Sequence, residues 1–298
     1  MIFKKLHGLK KYLFDLVKLA ETNKLPKILM LSGKKGQGKF TLTNHLMCYI
    51  FDKKNYDLKN LTINENNILI KDIRENYYPN IIYYSCSDKN VKIDDIRNLR
   101  LNLQKSSINN QNRFIIFDDV EHLNDNCVNA LLKTIEEPSD TNSFILINNQ
   151  YKELLDTLKS RSIEIMVFLN KEEKFDIINK LISEYHIEEK IDPKTSTLTP
   201  GNYLKYNKLI LEEKIDINEE LIFNIDKLLR LNKLKKNIDY LNFAIYLINQ
   251  YYFINFKNNA NISFYNNNRI NIIRKLQESN KLNLNQNNLI QEIENYIQ

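Results

Sequence analysis

The sequence of 298 residues predicts an α/β fold with a parallel sheet, followed by a small helical lid and an all-α C-terminal domain. Three observations lead to this prediction. Short apolar runs alternate with helical patterns up to residue 168, which is typical of a parallel sheet with helices on both faces. A glycine-rich turn joins the first apolar run to the helical pattern after it. Beyond residue 168 only helical periodicity is found.

The predicted elements alternate regularly in the first part of the chain. Their order is a helix within 1–17, a strand at 27–33, a helix at 39–51, a strand at 80–86, a helix at 91–104, a strand at 113–118, a helix at 127–140, a strand at 142–149, a short helix from 151 and a strand ending at 168. Proline cannot continue a helix, so Pro138 is expected to end the helix of 127–140.

Composition excludes several classes of protein. No apolar run approaches the roughly 20 residues that a membrane-spanning helix needs. The N-terminal segment has Asp15 within its apolar stretch, so we interpret it as an amphipathic helix and not a signal peptide, and expect a cytoplasmic protein. The three cysteines form no C-x-x-C pair, and no zinc is therefore expected. The net charge of +6 permits contact with nucleic acid without requiring it.

The glycine-rich turn, residues 33–41 with the sequence GKKGQGKFT, comes close to the phosphate-binding pattern G-x-x-x-x-G-K-[ST]. Gly33, Gly38 and Lys39 stand at the required positions. With Gly36, this turn holds three of the five glycines of the chain, which indicates a backbone with unusual torsion angles. A turn between a strand and a helix directs backbone N–H groups at a phosphate, which Lys39 would also reach. The alternative is an ordinary strand-to-helix turn.

One position of the pattern is occupied by the wrong kind of residue. Where a Ser or Thr hydroxyl should bind magnesium, the chain has Phe40. Thr41 follows, but it lies about 100° further around the helix and does not simply replace the missing hydroxyl. We therefore predict a loop that can bind a phosphate, as in ATP, but coordinates magnesium poorly.

Two neighbouring carboxylates follow a later apolar strand. Asp118 and Asp119 end the run that begins at residue 113, and Asn148 ends the next predicted strand. In a nucleotide site, Asp118 would orient magnesium and Asp119 would polarise the attacking water. The carboxyl ends of parallel strands form the ligand-binding edge of a sheet, so these residues are expected to lie beside the glycine-rich turn. An acidic turn after a buried strand is the alternative interpretation.

Three longer stretches resemble the clamp-loader branch of the AAA+ ATPases. Residues 123–149 are similar to the segment after the acid-bearing strand, whose core reads NALLKTLEEP in that family. KSRSIEI at 159–165 is similar to the S-R-C motif of the family, with Ser162 in place of Cys, and IDDIRNLR at 93–100 is similar to the segment before that strand. The resemblance covers roughly residues 25–168.

The resemblance implies roles for particular residues. Arg161, in the S-R-C-like motif, would be an arginine finger that enters the nucleotide site of a neighbouring subunit and stabilises charge on its γ-phosphate. Asn148 or Asn149 would be the polar sensor at the strand end. From the residues alone, the favoured interpretation of Arg161 is a solvated cation at a helix end.

The departures from the family pattern agree with one another. Phe40 interrupts the phosphate-binding pattern, and members of the delta-prime branch of the family often carry an interruption at this position. Gly201 and Tyr203 stand where an ATP-contacting arginine is expected. The resemblance therefore implies a subunit that serves the ATP of its neighbour. Its expected partners are the delta and gamma/tau subunits and, through the complex, the sliding clamp and primed DNA.

The resemblance also implies the domain division: an AAA+ P-loop domain over 1–168, a helical lid over 169–212 and a helical collar domain over 213–298 that mediates oligomerisation. Six aromatic residues lie within positions 240–253 of the collar segment, and we interpret them as core or interface, with a base-stacking platform as the alternative. They are Tyr240, Phe243, Tyr246, Tyr251, Tyr252 and Phe253.

A second interpretation of the whole chain is a self-sufficient AAA+ ATPase. Turnover by the isolated chain distinguishes it from the first, because Phe40 and the missing sensor arginine predict almost none. A P-loop kinase of small molecules is a third interpretation, but no acceptor-binding motif supports it.

Overall fold

The structure is a computed structural model that describes residues 4–64, 67–75, 77–87, 91–104, 112–136, 141–256, 262–282 and 285–297. Its contacts divide the chain into two compact units. The first comprises residues 1–187 and 192–204, and the second comprises residues 188–191 and 205–298. The predicted division into three domains stays a prediction.

The first unit contains a sheet and the helices around it. Its elements are α1 (Lys10–Glu21), β1 (Ile28–Ser32), α2 (Lys39–Phe51), β2 (Tyr56–Asp57), β3 (Thr62–Ile63), α3 (Leu69–Arg74), β4 (Ile81–Ser85), α4 (Ile93–Leu103), β5 (Arg113–Asp118), α5 (Asp125–Ile135), β6 (Asn142–Asn148), α6 (Asp156–Lys159), β7 (Ile163–Met166) and α7 (Lys171–Tyr185). Helix α8 (Pro200–Glu212) contains the boundary between the units.

Five of the described strands form one parallel sheet in the order β4-β5-β6-β1-β7. In the register, Ser32 at the end of β1 lies opposite Asn148 of β6, and Asp118 at the end of β5 lies opposite Ile147. The carboxyl ends of the three central strands therefore meet at one edge, as predicted. Strands β2 and β3 form a small antiparallel pair that the sequence analysis did not predict.

The core of the first unit lies between this sheet and helices α4 and α5. Met30, Ile115, Phe117 and Leu146 are almost fully buried there. Their burial explains why the central strands read as continuous apolar runs, since both faces of a parallel sheet are covered. Leu101 of α4 lies outside this core and is 60% exposed.

The predicted start of α5 differs from the structure. Helix α5 begins at Asp125, two residues before the predicted start, because the side chain of Asn124 accepts a hydrogen bond from the Cys127 N–H and caps the helix. Pro138, which was expected to end this helix, lies outside the described residues.

The N-terminal helix begins at Lys10, and the residues before it are not helical. Lys5 instead forms an antiparallel bridge with Thr62. Gly8 has φ +71°, and a Cβ atom there would lie 2.3 Å from the Ile177 side chain, so only glycine allows the chain to pass this close to α7.

The second unit is helical. It contains α9 (Leu221–Lys235), α10 (Ile238–Phe256), α11 (Ile262–Leu282) and α12 (Gln286–Ile297), whose buried side chains share one core. In the aromatic cluster, Tyr240, Phe243 and Tyr252 are buried, which confirms the interpretation as core for these three. Phe253 is 49% exposed. In the part of the chain that the structure describes, no helix has the length and apolar character needed to cross a membrane.

Candidate nucleotide site

The glycine-rich turn joins β1 to α2 in a left-handed path. Gly33, Gly36 and Gly38 have φ angles of +150°, +84° and +92°. At Gly36 a side chain is excluded on two grounds, because the torsion angle disfavours it and a Cβ atom would lie 2.4 Å from the Thr199 hydroxyl. The predicted unusual backbone is therefore present.

Lys39 begins α2 and is 2% exposed. Its Nζ donates hydrogen bonds to the carbonyl oxygens of Gly33 at 2.5 Å and Lys34 at 3.0 Å. Burial lowers the pKa of Lys39 to about 8, although the nearby carboxylates, among them Asp118, oppose this. The ammonium group thus lies inside the loop, where it would meet a phosphate group.

The two acids at the end of β5 have different surroundings. Asp118 accepts hydrogen bonds from the Asp119 N–H at 3.0 Å and from the Tyr83 hydroxyl at 3.3 Å. Burial and the neighbouring Asp119 carboxylate raise the pKa of Asp118 to about 7.

Burial also opposes ionisation of Asp119, but Lys35 and hydrogen bonds from Ser87 and Asn149 outweigh it and lower the pKa of Asp119 below its usual value. Lys35 Nζ lies 3.1 Å from Asp119 Oδ2, and Asn149 Nδ2 lies 2.6 Å from Asp119 Oδ1. Asp119 is therefore an ionised carboxylate that is already paired with a cation.

Phe40 packs against a residue that contacts one of the acids. The ring centroid lies 5.4 Å from that of Tyr83, whose hydroxyl donates to Asp118. Phe40 therefore offers no oxygen ligand, whereas a magnesium ion needs oxygen ligands and water. With no hydroxyl at position 40 and Asp119 paired with Lys35, these residues do not fit a magnesium ion.

A group of possible metal ligands, Asp119, Glu121 and His122, has donor atoms within 4.8 Å of one another. Both carboxylates are already engaged, however. Glu121 is 1% exposed and accepts two hydrogen bonds from the Asn149 N–H, at 3.0 and 3.1 Å. This group is therefore a hydrogen-bonded support for the strand ends.

The start of α8 lies against the glycine-rich turn. The Thr199 hydroxyl donates to the Lys35 carbonyl at 2.7 Å, and the Gly201 N–H donates to the Gly36 carbonyl at 2.8 Å. Gly201 faces Gly36 so closely that a Cβ atom on it would lie 2.8 Å from the Gly36 Cα. The start of α8 thus contacts the loop through the Thr199 hydroxyl and the Gly201 backbone.

A cavity of about 230 Å³ joins these parts. Lys39, Thr41, Asp118 and Asp119 line its polar side. The apolar side is lined by six residues from four segments: Leu6, Leu9, Leu169, Ile177, Leu181 and Leu204. A polar end with loop N–H groups and an apolar end are the features of a site for a ligand with a phosphate and a flat apolar group.

The structure brings together most, but not all, of the predicted residues. Asn149 lines the cavity, whereas Asn148 is buried away from it, with Nδ2 donating to Ser32 Oγ and Oδ1 accepting from the Gln150 N–H. The sequence analysis missed Lys35 and Tyr83, although a lysine inside the loop pattern was a visible signal for the first of them.

Arg161 follows α6 and is not among the residues that line this cavity. Its guanidinium forms an ion pair with Glu136 Oε1 at 2.8 Å and donates to the Thr157 carbonyl at 3.1 Å. Its side chain is 39% exposed. It is therefore available at the surface of the first unit, outside the chain's own site.

Comparison with known proteins gives a family match and several relatives. The family model described as DNA polymerase III, delta subunit, matches residues 8–171. The chain is 30% identical over 148 residues to the DNA polymerase III subunit delta' of Buchnera aphidicola subsp. Schizaphis graminum (strain Sg). This alignment covers 49% of the chain and 44% of that protein. It is 26% identical over 166 residues to the DNA polymerase III subunit gamma of Buchnera aphidicola subsp. Acyrthosiphon pisum (strain APS). This alignment covers 55% of the chain and 43% of that protein.

The alignments therefore span less than half the length of these two curated relatives. Among solved structures, a DNA polymerase III gamma subunit-related protein from Thermotoga maritima aligns with 95% of this chain and 99% of its own, at 18% identity and a TM-score of 0.49.

Proposed function

The chain belongs to the DNA polymerase III delta-subunit family, since the family model matches more than half of it, and from this we propose that it is a delta-prime-like subunit of a bacterial clamp loader. The family match confirms the resemblance drawn from the motifs. In the proposed role, the chain takes part in ATP-dependent loading of the sliding clamp on primed DNA. It acts mainly as a scaffold and as the donor of Arg161 to a neighbouring subunit.

One contact carries the proposal that the chain does not hydrolyse ATP itself. The Phe40 ring lies beside Tyr83 next to Asp118, where a working site needs a hydroxyl and magnesium. Hydrolysis without this metal lacks the charge that stabilises the transferred phosphoryl group.

The exposed position of Arg161 supports the second half of the role. An arginine finger must reach the phosphate of another subunit, so it has to lie at the surface and outside its own site. The surface ion pair with Glu136 contributes little stability, so a neighbouring triphosphate could replace Glu136 as the partner. The partners proposed are the delta and gamma/tau subunits.

The test is a reconstituted complex of this chain with delta and gamma/tau subunits, sliding clamp and primed DNA. Arg161→Ala should slow hydrolysis at the one site that it serves by about 10³-fold or more, because a finger contributes that much to the transition state. A rapid-quench burst should then lose the phosphate equivalent to one site, while gel filtration shows an unchanged ring.

Lys159→Ala is the matched control, since it removes a cation of similar exposure two residues away. Its burst should equal that of the wild type. An unchanged burst for Arg161→Ala in an assembled ring would contradict the finger.

The gathering of Lys39, Asp118 and Asp119 around one cavity favours the second candidate, a catalytically active AAA+ ATPase. The isolated chain decides between the two. Turnover of order 1 s⁻¹ that is lost in Lys39→Ala would support an active ATPase and remove the scaffold proposal.

A further inference from the structure

Lys35 is the second cation of the glycine-rich turn, and it reaches a residue 84 positions away. Its Nζ lies 3.1 Å from Asp119 Oδ2, with 29% of the lysine side chain and 6% of the aspartate side chain exposed. Ion pairs that are shielded from water are screened far less than surface pairs. The positive charge next to Asp119 is therefore supplied by the chain.

Neighbouring contacts hold the ion pair of Lys35 and Asp119 in position. Asp119 is fixed by Asn149 on its other oxygen, and the backbone carbonyl of Lys35 accepts from the Thr199 hydroxyl. A divalent ion bound to Asp119 would have to displace the ammonium group or remain close to it, and like charges repel strongly in a partly buried site.

The same cavity contains polar atoms that lack a partner. Gln37 is 4% exposed and Asn44 is 5% exposed, and both line the cavity. Gln37 Oε1 and Asn44 Oδ1 are buried without a hydrogen bond. Such acceptors are costly unless a donor reaches them, and a ligand in the cavity would reach these two only if their side chains turned towards it.

We infer that this cavity binds a nucleoside triphosphate without a divalent metal, with Lys35 as the resident cation in place of magnesium. Lys39 and the loop N–H groups hold the phosphates. The ligand stays intact, because no metal polarises its γ-phosphate. The inference builds on the proposed function, in which this subunit does not hydrolyse its own nucleotide.

The full chain is titrated with ATP by calorimetry, once with excess MgCl₂ and once with excess EDTA. The wild type should bind in both, with dissociation constants that agree within about threefold. Lys35→Ala combined with Phe40→Thr frees Asp119 and restores the hydroxyl, so this variant should bind ATP at least about tenfold more tightly with magnesium than with EDTA. Lys34→Ala is the matched control in the same loop and should remain independent of the metal.

Two outcomes would overturn the inference. The first is wild-type binding that weakens tenfold or more in EDTA, and the second is no ATP binding in either buffer. A third result would contradict the role of Lys35 as the resident cation: equal ATP affinity of the double variant with magnesium and with EDTA. None of these results changes ring assembly or the Arg161 burst, so failure here is separable from failure of the proposed function.

Discussion

Asp118 and Asp119 are adjacent residues of one type, yet their carboxyl groups have opposite protonation preferences. Lys35 and two hydrogen bonds hold the pKa of Asp119 low, whereas burial beside that charge raises the pKa of Asp118 to about 7. The difference arises because burial dominates at Asp118, whereas Lys35 pairs directly with Asp119. Asp119 is thus ionised in the folded chain, whereas ionisation of Asp118 lowers the free energy of unfolding.

The raised pKa gives a stability prediction with a definite sign. In the unfolded chain Asp118 ionises near its usual pKa of 3.8, while in the folded chain it ionises near 7. Folding is therefore penalised increasingly as the pH rises from about 4 to about 7, and the penalty stays constant above that. Asp118→Asn removes it, so urea unfolding should show a gain of about 1–3 kcal/mol at pH 8 and almost none near pH 4.

Asp15→Asn is the matched control, because Asp15 is an exposed aspartate in the same unit. Its effect on the free energy of unfolding should not change between the two pH values. A gain for Asp118→Asn that is equal at both pH values would show that the raised pKa is not its cause.

Single positions show where sequence reasoning ends. The lost hydroxyl at Phe40 was predictable, because the motif names that position. The contact with Tyr83 was not, since the two residues are 43 positions apart and belong to different elements, α2 and β4. The choice between Asn148 and Asn149 also depends on where β6 ends, because successive residues of a strand point to opposite faces.

Among the secondary-structure elements, the start of α8 lies directly against the glycine-rich turn. The sequence analysis predicted a helical lid over 169–212 but could not place it against the loop, because close contacts between backbone atoms leave no pattern in side chains. Two hydrogen bonds and the contact of Gly36 with Gly201 now tie the two elements together.

Gly201→Ala tests that contact, and the direction of the effect is informative. Inside an ordinary helix this change stabilises by roughly 0.5–1 kcal/mol. Here the new Cβ atom would lie 2.8 Å from the Gly36 Cα and 3.0 Å from its carbonyl oxygen, so we expect a loss of about 1–3 kcal/mol in thermal unfolding. Hydrogen exchange of residues 33–38 should also become faster.

Lys208→Ala, at a position of α8 where the side chain is 73% exposed, is the comparison. It should leave the exchange of the loop unchanged. A stabilising Gly201→Ala variant would mean that α8 and the loop do not touch in solution.

For the molecule as a whole, the proposed function divides the tasks between the two compact units. The first contains the cavity, the acids and Arg161, and the apolar runs predicted the five strands of its sheet. The second is built from α9 to α12, and here the sequence predicted only that the segment is helical. Its Asn-rich segments gave no clear period, although Ile272 and Leu276 of α11 are fully buried.

If the second unit carries assembly, damage to it should spare the first. Leu276 is 0% exposed in the core of α9 to α12, so Leu276→Ala should destabilise this unit by about 2–5 kcal/mol. Hydrogen exchange should become faster throughout α11 while β1 and β5 keep their protection. On warming, binding to gamma/tau subunits should be lost before the sheet unfolds.

Arg274→Ala is the control, because this side chain is 75% exposed on the same helix. It should change neither the hydrogen exchange of α11 nor the binding to gamma/tau subunits. Equal loss of protection in α11 and in β5 would mean that the chain unfolds as one cooperative body, and the division of tasks would then be wrong.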